Sequence, residues 1–139
     1  GCVQPIPDDR RLLATKLHYA AACNDKELLA ECACAMLHTK GGLYEQMAID
    51  YVSHCFRPLS ESPFHITQEF AAELVGHFKK MAGSLMRSSD DDFVPMPPGI
   101  LFLNRLQFGF YSVLARMDVT VDYRANEASY IHQALGKET

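Results

Sequence analysis

Five cysteines, at positions 2, 23, 32, 34 and 55, and six histidines carry the softest donor atoms in the chain. Zinc binding and nucleophilic catalysis are the chemistries they first suggest. Cys32-Ala33-Cys34 looks like a pair of thiolate ligands. On a helix, residues two apart point about 200° away from each other and cannot share one ion. Cys34 and His38, four apart, could form half a site, but no second pair stands at matching spacing. His54-Cys55 sets a base beside a nucleophile, yet adjacent helical side chains diverge. Ser88-Ser89-Asp90-Asp91-Asp92 offers hard oxygens to a cation without the alternating ligands, mid-loop glycine and late glutamate of an EF-hand. Gly41-Gly42 lacks the longer glycine pattern and the preceding strand of a phosphate cradle. These features reduce to packed thiols, a solvated loop and a turn. No catalytic residue and no metal ligand set is predicted.

Arg105 is harder to dismiss. Asn104 and Arg105 sit side by side in the apolar run PMPPGILFLNRLQFGFYSVLARMD, residues 95–118. On a helical wheel at about 100° per residue, Phe102, Leu103, Leu106, Phe110, Val113, Leu114 and Met117 form one broad apolar face. Asn104, Arg105, Gly109, Ser112, Ala115 and Arg116 share most of the other side, with Leu101 and Phe108 intruding. Small residues at 109, 112 and 115 would let another backbone approach. This pattern predicts a central helix contacted on most sides. A buried arginine there needs a carboxylate or several carbonyls, so Arg105 is expected to be structural, and Arg105→Ala to cost roughly 3–5 kcal/mol. Two arginines and an asparagine argue against a membrane span.

The elements that must hold these residues are helical almost throughout. Residues 8–23 carry Leu13, Leu17, Ala20 and Ala21 on one face, after Pro7 and two aspartates. Asn24 has the spacing of an N-cap, with Glu27 completing a capping box, for a helix over 25–38. A third helix covers 43–56, and 57–66 reads as a loop. Thr67 caps a helix whose apolar face runs Ala71, Leu74, Val75, Phe78, Met81, Ala82, Leu85. Residues 88–98 form a polar and then proline-rich loop. Asp122 caps a last helix ending at Gly136. No strand pair is evident. The fold class is all-α, a single domain of about six helices.

Composition narrows the function. The chain has 139 residues, 48% of them hydrophobic, with a net charge of −4. That suffices for a sizeable core and argues against a general nucleic-acid or anionic-membrane binder. The odd, scattered cysteine count favours a reducing compartment, and no signal peptide is visible. A cytoplasmic setting is expected, bacterial rather than organellar.

Pro97-Pro98-Gly99, Phe102-Leu103-Asn104-Arg105, Gly109, Leu114 and Asp118 resemble the C-terminal segment of the UbiB/AarF-type atypical kinases, protein-kinase-like proteins linked to coenzyme Q biology. Gly1-Cys2-Val3 resembles the residues just after Asp-Phe in that family's metal-binding motif. The resemblance spans the chain in order and is specific at residues 1–3 and about 95–123. It implies that 1–139 is the helical C-terminal region of a kinase-like protein. In such a parent, which would bind Mg-ATP, Gly1 and Cys2 would end the metal-binding loop. Asn104, Arg105 and Gly109 would be structural. The lysine and the two aspartates of a phosphoryl-transfer site are missing, so the chain by itself is expected to be inactive and to hold no cofactor. Its expected partners are the remainder of the kinase-like domain and a protein or lipid-linked surface, with no nucleic acid. The alternatives are a self-standing helical interaction module and a helical enzyme with an unrecognised site.

Overall fold

The computed structural model describes residues 6–85 and 99–136. Seven helices and one short ladder lie within them: α1 Asp8–Cys23, α2 Lys26–Leu37, α3 Gly42–Cys55, α4 Arg57–Ser60, β1 Phe64–His65, α5 Gln68–Leu85, α6 Ile100–Met117, β2 Thr120–Val121 and α7 Tyr123–Ala134. The all-α expectation holds. The single pair of two-residue strands was not anticipated, and neither was the helical turn of α4 inside the expected loop.

Local chemistry explains the boundaries. Asn24 is the left-handed C-cap of α1, with its N–H on the Ala20 and Ala21 carbonyls. Asparagine tolerates positive φ better than most side chains. Asp25, one residue later than expected, is the N-cap of α2 and accepts from the Leu28 N–H at 3.0 Å. Thr67 and Asp122 cap α5 and α7 as their types predict, accepting from the N–H groups of Phe70 at 3.1 Å and Ala125 at 2.9 Å.

The helices α1 and α2 form a hairpin, α3 packs on α2, α5 on α3 and α6 on α5, while α4 and α7 close over α1. Alanines sit where helices come close: Ala20, Ala33 and Ala48 have no exposed surface. Around them pack Leu17, Leu37, Tyr51, Leu59, Ile66, Leu74 and Met81, all buried. Each such apolar side chain contributes about 1.5–3 kcal/mol when fully buried.

The chain after α6 is fastened to the chain after α4. Phe64 pairs with Val121 and His65 with Thr120 in an antiparallel ladder. Beside it, the Arg124 guanidinium donates to the Ser60 carbonyl at 2.6 Å and the Leu59 carbonyl at 3.4 Å. Ser62 Oγ donates to Asp122 at 2.7 Å and accepts from the Arg124 N–H at 3.1 Å. The structural arginine is therefore Arg124. Arg105 is exposed, which corrects the expectation of a buried side chain. The helix that carries it is packed mainly on one side, so Arg105 needs no buried partner.

Candidate functional site

The inward face of α6 carries Ile100, Asn104, Gln107, Phe108 and Tyr111. Phe108 and Tyr111 meet Phe78 and Phe70 of α5, with ring centroids 6.0 and 5.9 Å apart. The three polar residues follow i, i+3, i+7 spacing and so line up. Towards α3, the Tyr51 hydroxyl donates to Asn104 Oδ1 at 2.9 Å, and the Tyr111 hydroxyl donates to the Cys55 carbonyl at 3.0 Å. Gln107 Nε2 donates to the Tyr111 hydroxyl at 3.4 Å.

Behind this polar row α6 stands off from α1 and α7. The gap is a cavity of about 870 Å³, whose walls are mostly apolar, with Leu17, Leu37, Val52, Leu59 and Ile100 prominent. At its edge His18 Nδ1 and Glu127 Oε2 lie 2.6 Å apart, joining α1 to α7.

Two buried polar atoms of lining residues lack partners among the described residues: the Asn104 amide nitrogen and the Tyr123 hydroxyl. Asn104 is only 8% exposed. Whichever way its amide is turned, one end is left without a protein partner. An unpaired buried polar group of this kind costs about 1–3 kcal/mol.

Cys55 is not poised as a nucleophile. Burial pushes the Cys55 thiol up to about 12, against the smaller pull of its contacts with Tyr51 and Gln107. A thiol held that high is not a nucleophile at neutral pH. Burial likewise raises Tyr51 and Tyr111. On its α3 and α6 side the cavity offers neutral hydrogen-bonding groups on an apolar background, while Asp9, Arg10, His18 and Glu127 border it on the α1 and α7 side.

His54 and Cys55 diverge. His54 stacks between Phe70 and His77, centroids 5.1 and 4.6 Å away. Glu73 comes within 3.4 Å of its Nε2 without the alignment of a hydrogen bond. Nearby, Arg57 makes two bonds to Glu61 at 2.9 and 3.0 Å and lies over the Phe64 and Phe70 rings. Burial first, then the charges of His77 and Arg57, lower the His54 pKa.

The other predicted residues are scattered. Cys32 is buried, Cys34 half-buried, and His38 is the exposed left-handed C-cap of α2. Among the described residues, no group of three His, Cys, Asp or Glu side chains could hold a metal ion. Gly109 is exposed, and a Cβ added to it would meet nothing within 4 Å; the close approach expected there is not made among the described residues. Gly1, Cys2 and the acidic run 88–92 lie outside the described residues.

Sequence reasoning missed Arg124 and the cavity. Arg124 bonds to carbonyls more than 60 residues away, which no local pattern signals. The polar row at 104, 107 and 111 was legible as spacing; the space behind it was not. The chain matches no family model, no curated protein and no solved structure.

Proposed function

We propose that this chain is the non-catalytic helical C-terminal region of a UbiB/AarF-like atypical kinase or ATPase, packed against the rest of that protein through α6. The outer face of α6 carries this reading. Leu103, Leu106, Phe110, Val113 and Met117 are 36–59% exposed and follow one another at intervals of three and four residues. That interval makes a continuous seam for a second helical surface, and a contiguous apolar patch of this kind marks an interaction site. Four of the residues that carry the family resemblance lie on this helix among the described side chains: Leu103, Asn104, Arg105 and Leu114.

In the proposed setting the site of phosphoryl transfer lies in the remainder of the parent, which supplies the lysine and aspartates. This region supports it from below and offers a surface to a protein or lipid-linked partner in the cytoplasm. Among the described residues no helix is long and apolar enough to cross a membrane.

Thermal melts with and without millimolar Mg-ATP test the reading. The 139-residue chain is expected to melt at the same temperature in both conditions. A longer protein carrying the upstream lobe is expected to shift upward by a few degrees, because about 1–3 kcal/mol of linkage is available at 10–100 times Kd. Saturable stabilisation of the short chain by Mg-ATP would overturn the proposal. Binding of an unrelated protein through the α6 seam, with no such parent, would favour the self-standing interaction module.

A further inference from the structure

We infer that the cavity between α6, α1, α3 and α7 is a binding site for a neutral, largely apolar small molecule carrying a hydrogen-bond acceptor such as a carbonyl oxygen. This inference does not rest on the kinase-like reading, although Leu103 and Phe110 belong to the α6 seam and also border the cavity.

Size supports it first. At about 870 Å³ the cavity lies within the range of small-molecule sites and is far larger than the space of a few waters. Its walls come from several helices, and most of the lining is apolar. Helices that bury an apolar lining around open space lose the contacts that close packing would supply. An apolar occupant restores them.

The polar groups then choose the head of the ligand. The row along α6 and α3 consists of Asn104, Gln107, Tyr51 and Tyr111, none of them charged at neutral pH. The Tyr51 and Tyr111 hydroxyls are already committed as donors, to Asn104 Oδ1 and to the Cys55 carbonyl. With Tyr51 donating to Oδ1, the Asn104 amide nitrogen, on a side chain more than nine-tenths buried, is left as a donor, and the Tyr123 hydroxyl, which can donate or accept, likewise lacks a partner among the described residues. Both residues border the cavity, and a ligand acceptor satisfies either group. A carbonyl satisfies either without bringing a charge into an apolar space, which would be far costlier. Among the described residues, acidic and basic side chains border the cavity only on the α1 and α7 side, where Asp9 and Arg10 lie at the start of α1 and His18 and Glu127 pair with each other.

The probe for the test is 6-propionyl-2-dimethylaminonaphthalene, a neutral naphthyl ketone whose emission moves to the blue in apolar surroundings and to the red when its carbonyl accepts a hydrogen bond. The expected result is saturable, blue-shifted binding of one probe per chain. Ala14→Trp, on the α1 wall, fills the space and is expected to abolish binding. Asn104→Leu removes the donor and is expected to weaken binding about tenfold, with emission further to the blue. Val113→Ser, on the outer face of α6, is expected to change nothing. Should Ala14→Trp fail to fold, judged by its helical circular dichroism, Asn104→Leu still decides through its affinity and emission. Non-saturable binding, full binding by a folded Ala14→Trp, an Asn104→Leu protein indistinguishable from the parent, or loss of binding in Val113→Ser would overturn the inference.

Discussion

The helices α5 and α6 are each 18 residues long, and both are amphipathic. They use that property in opposite ways. In α5 the apolar stripe turns inward: Phe70, Leu74 and Met81 are buried, and Glu69, Glu73 and Lys80 are on the outside. In α6 Leu106, Val113 and Met117 turn outward, Leu103 and Phe110 are exposed at the border of the cavity, and Asn104, Gln107 and Tyr111 face the domain. A hydrophobic stripe therefore says that a face wants covering. It does not say which surface covers it, because that depends on what else packs around the helix.

Core truncation gives the largest test of this contrast. Leu74→Ala removes a side chain with no exposed surface and is expected to cost about 2–5 kcal/mol in urea unfolding. Leu106→Ala and Val113→Ala, each at a residue 56% exposed, are expected to stay within about 0.5 kcal/mol. A large loss in either α6 variant would mean that the seam is covered within this chain.

The two arginines come next. Arg124 donates to two backbone carbonyls and holds α7 to α4, so Arg124→Ala is expected to destabilise by about 1.5–3 kcal/mol, the range for hydrogen bonds to charged groups. Arg105→Ala is expected to change stability by less than about 0.5 kcal/mol, as at other surface sites. Equal urea midpoints for the two variants would contradict the assignment of Arg124 as the clamp.

A smaller effect should appear with pH, on the α5 side of the molecule. The folded state holds His54 below its ordinary value of 6.5, by burial first and then through His77 and Arg57, with Glu73 and Glu61 pulling the other way. The unfolded chain thus takes up the proton first. Stability from the neutral imidazole is complete above pH 6.5, is lost as pH falls below it, and levels off once the folded imidazole is protonated too. Glu45 and Glu61 are held low by hydrogen bonds, from Thr39 and Arg57 respectively, so their contribution is lost only below their ordinary value of 4.5. His54→Phe keeps a ring to stack on Phe70 and is expected to flatten the upper step of a plot of urea midpoint against pH. An unchanged upper step would assign it to another group.

Thiol labelling reads the smallest differences. Cys23 is exposed and is expected to react readily with a disulfide reagent at pH 8. Cys55 and Cys32, both buried and both raised by burial, are expected to react only as fast as the domain opens. Prompt modification of Cys55 would mean that the cavity admits the reagent and that the thiol is more acidic than its surroundings imply.

Local chemistry made much of the fold legible. Apolar periodicity marked five of the seven described helices, and Asp122 and Gly136 bracketed a sixth; Thr67 and Asp122 marked two starts, because a cap needs only a side-chain oxygen three residues before an N–H. The end of α1 fell at Cys23 as expected, and the start of α2 slipped by one residue, since asparagine serves equally as an N-cap and as a left-handed C-cap. The turn of α4 and the β1–β2 ladder were hidden because both depend on partners that are distant along the chain.

The candidate site divides in the same way. Helical spacing alone separated Cys32 from Cys34 and His54 from Cys55, and the same spacing puts Asn104, Gln107 and Tyr111 in line, although only Asn104 of the three stood out in the sequence. Those are properties of a 3.6-residue turn and hold for any packing. Tertiary structure alone decided that this face, with its asparagine, turns inward and that Arg105 points to solvent. It also left a cavity behind α6 and gave Arg124 the carbonyls of Leu59 and Ser60. Each of these depends on the distance between helices, and side-chain periodicity along one helix carries no information about how far away the next one stands.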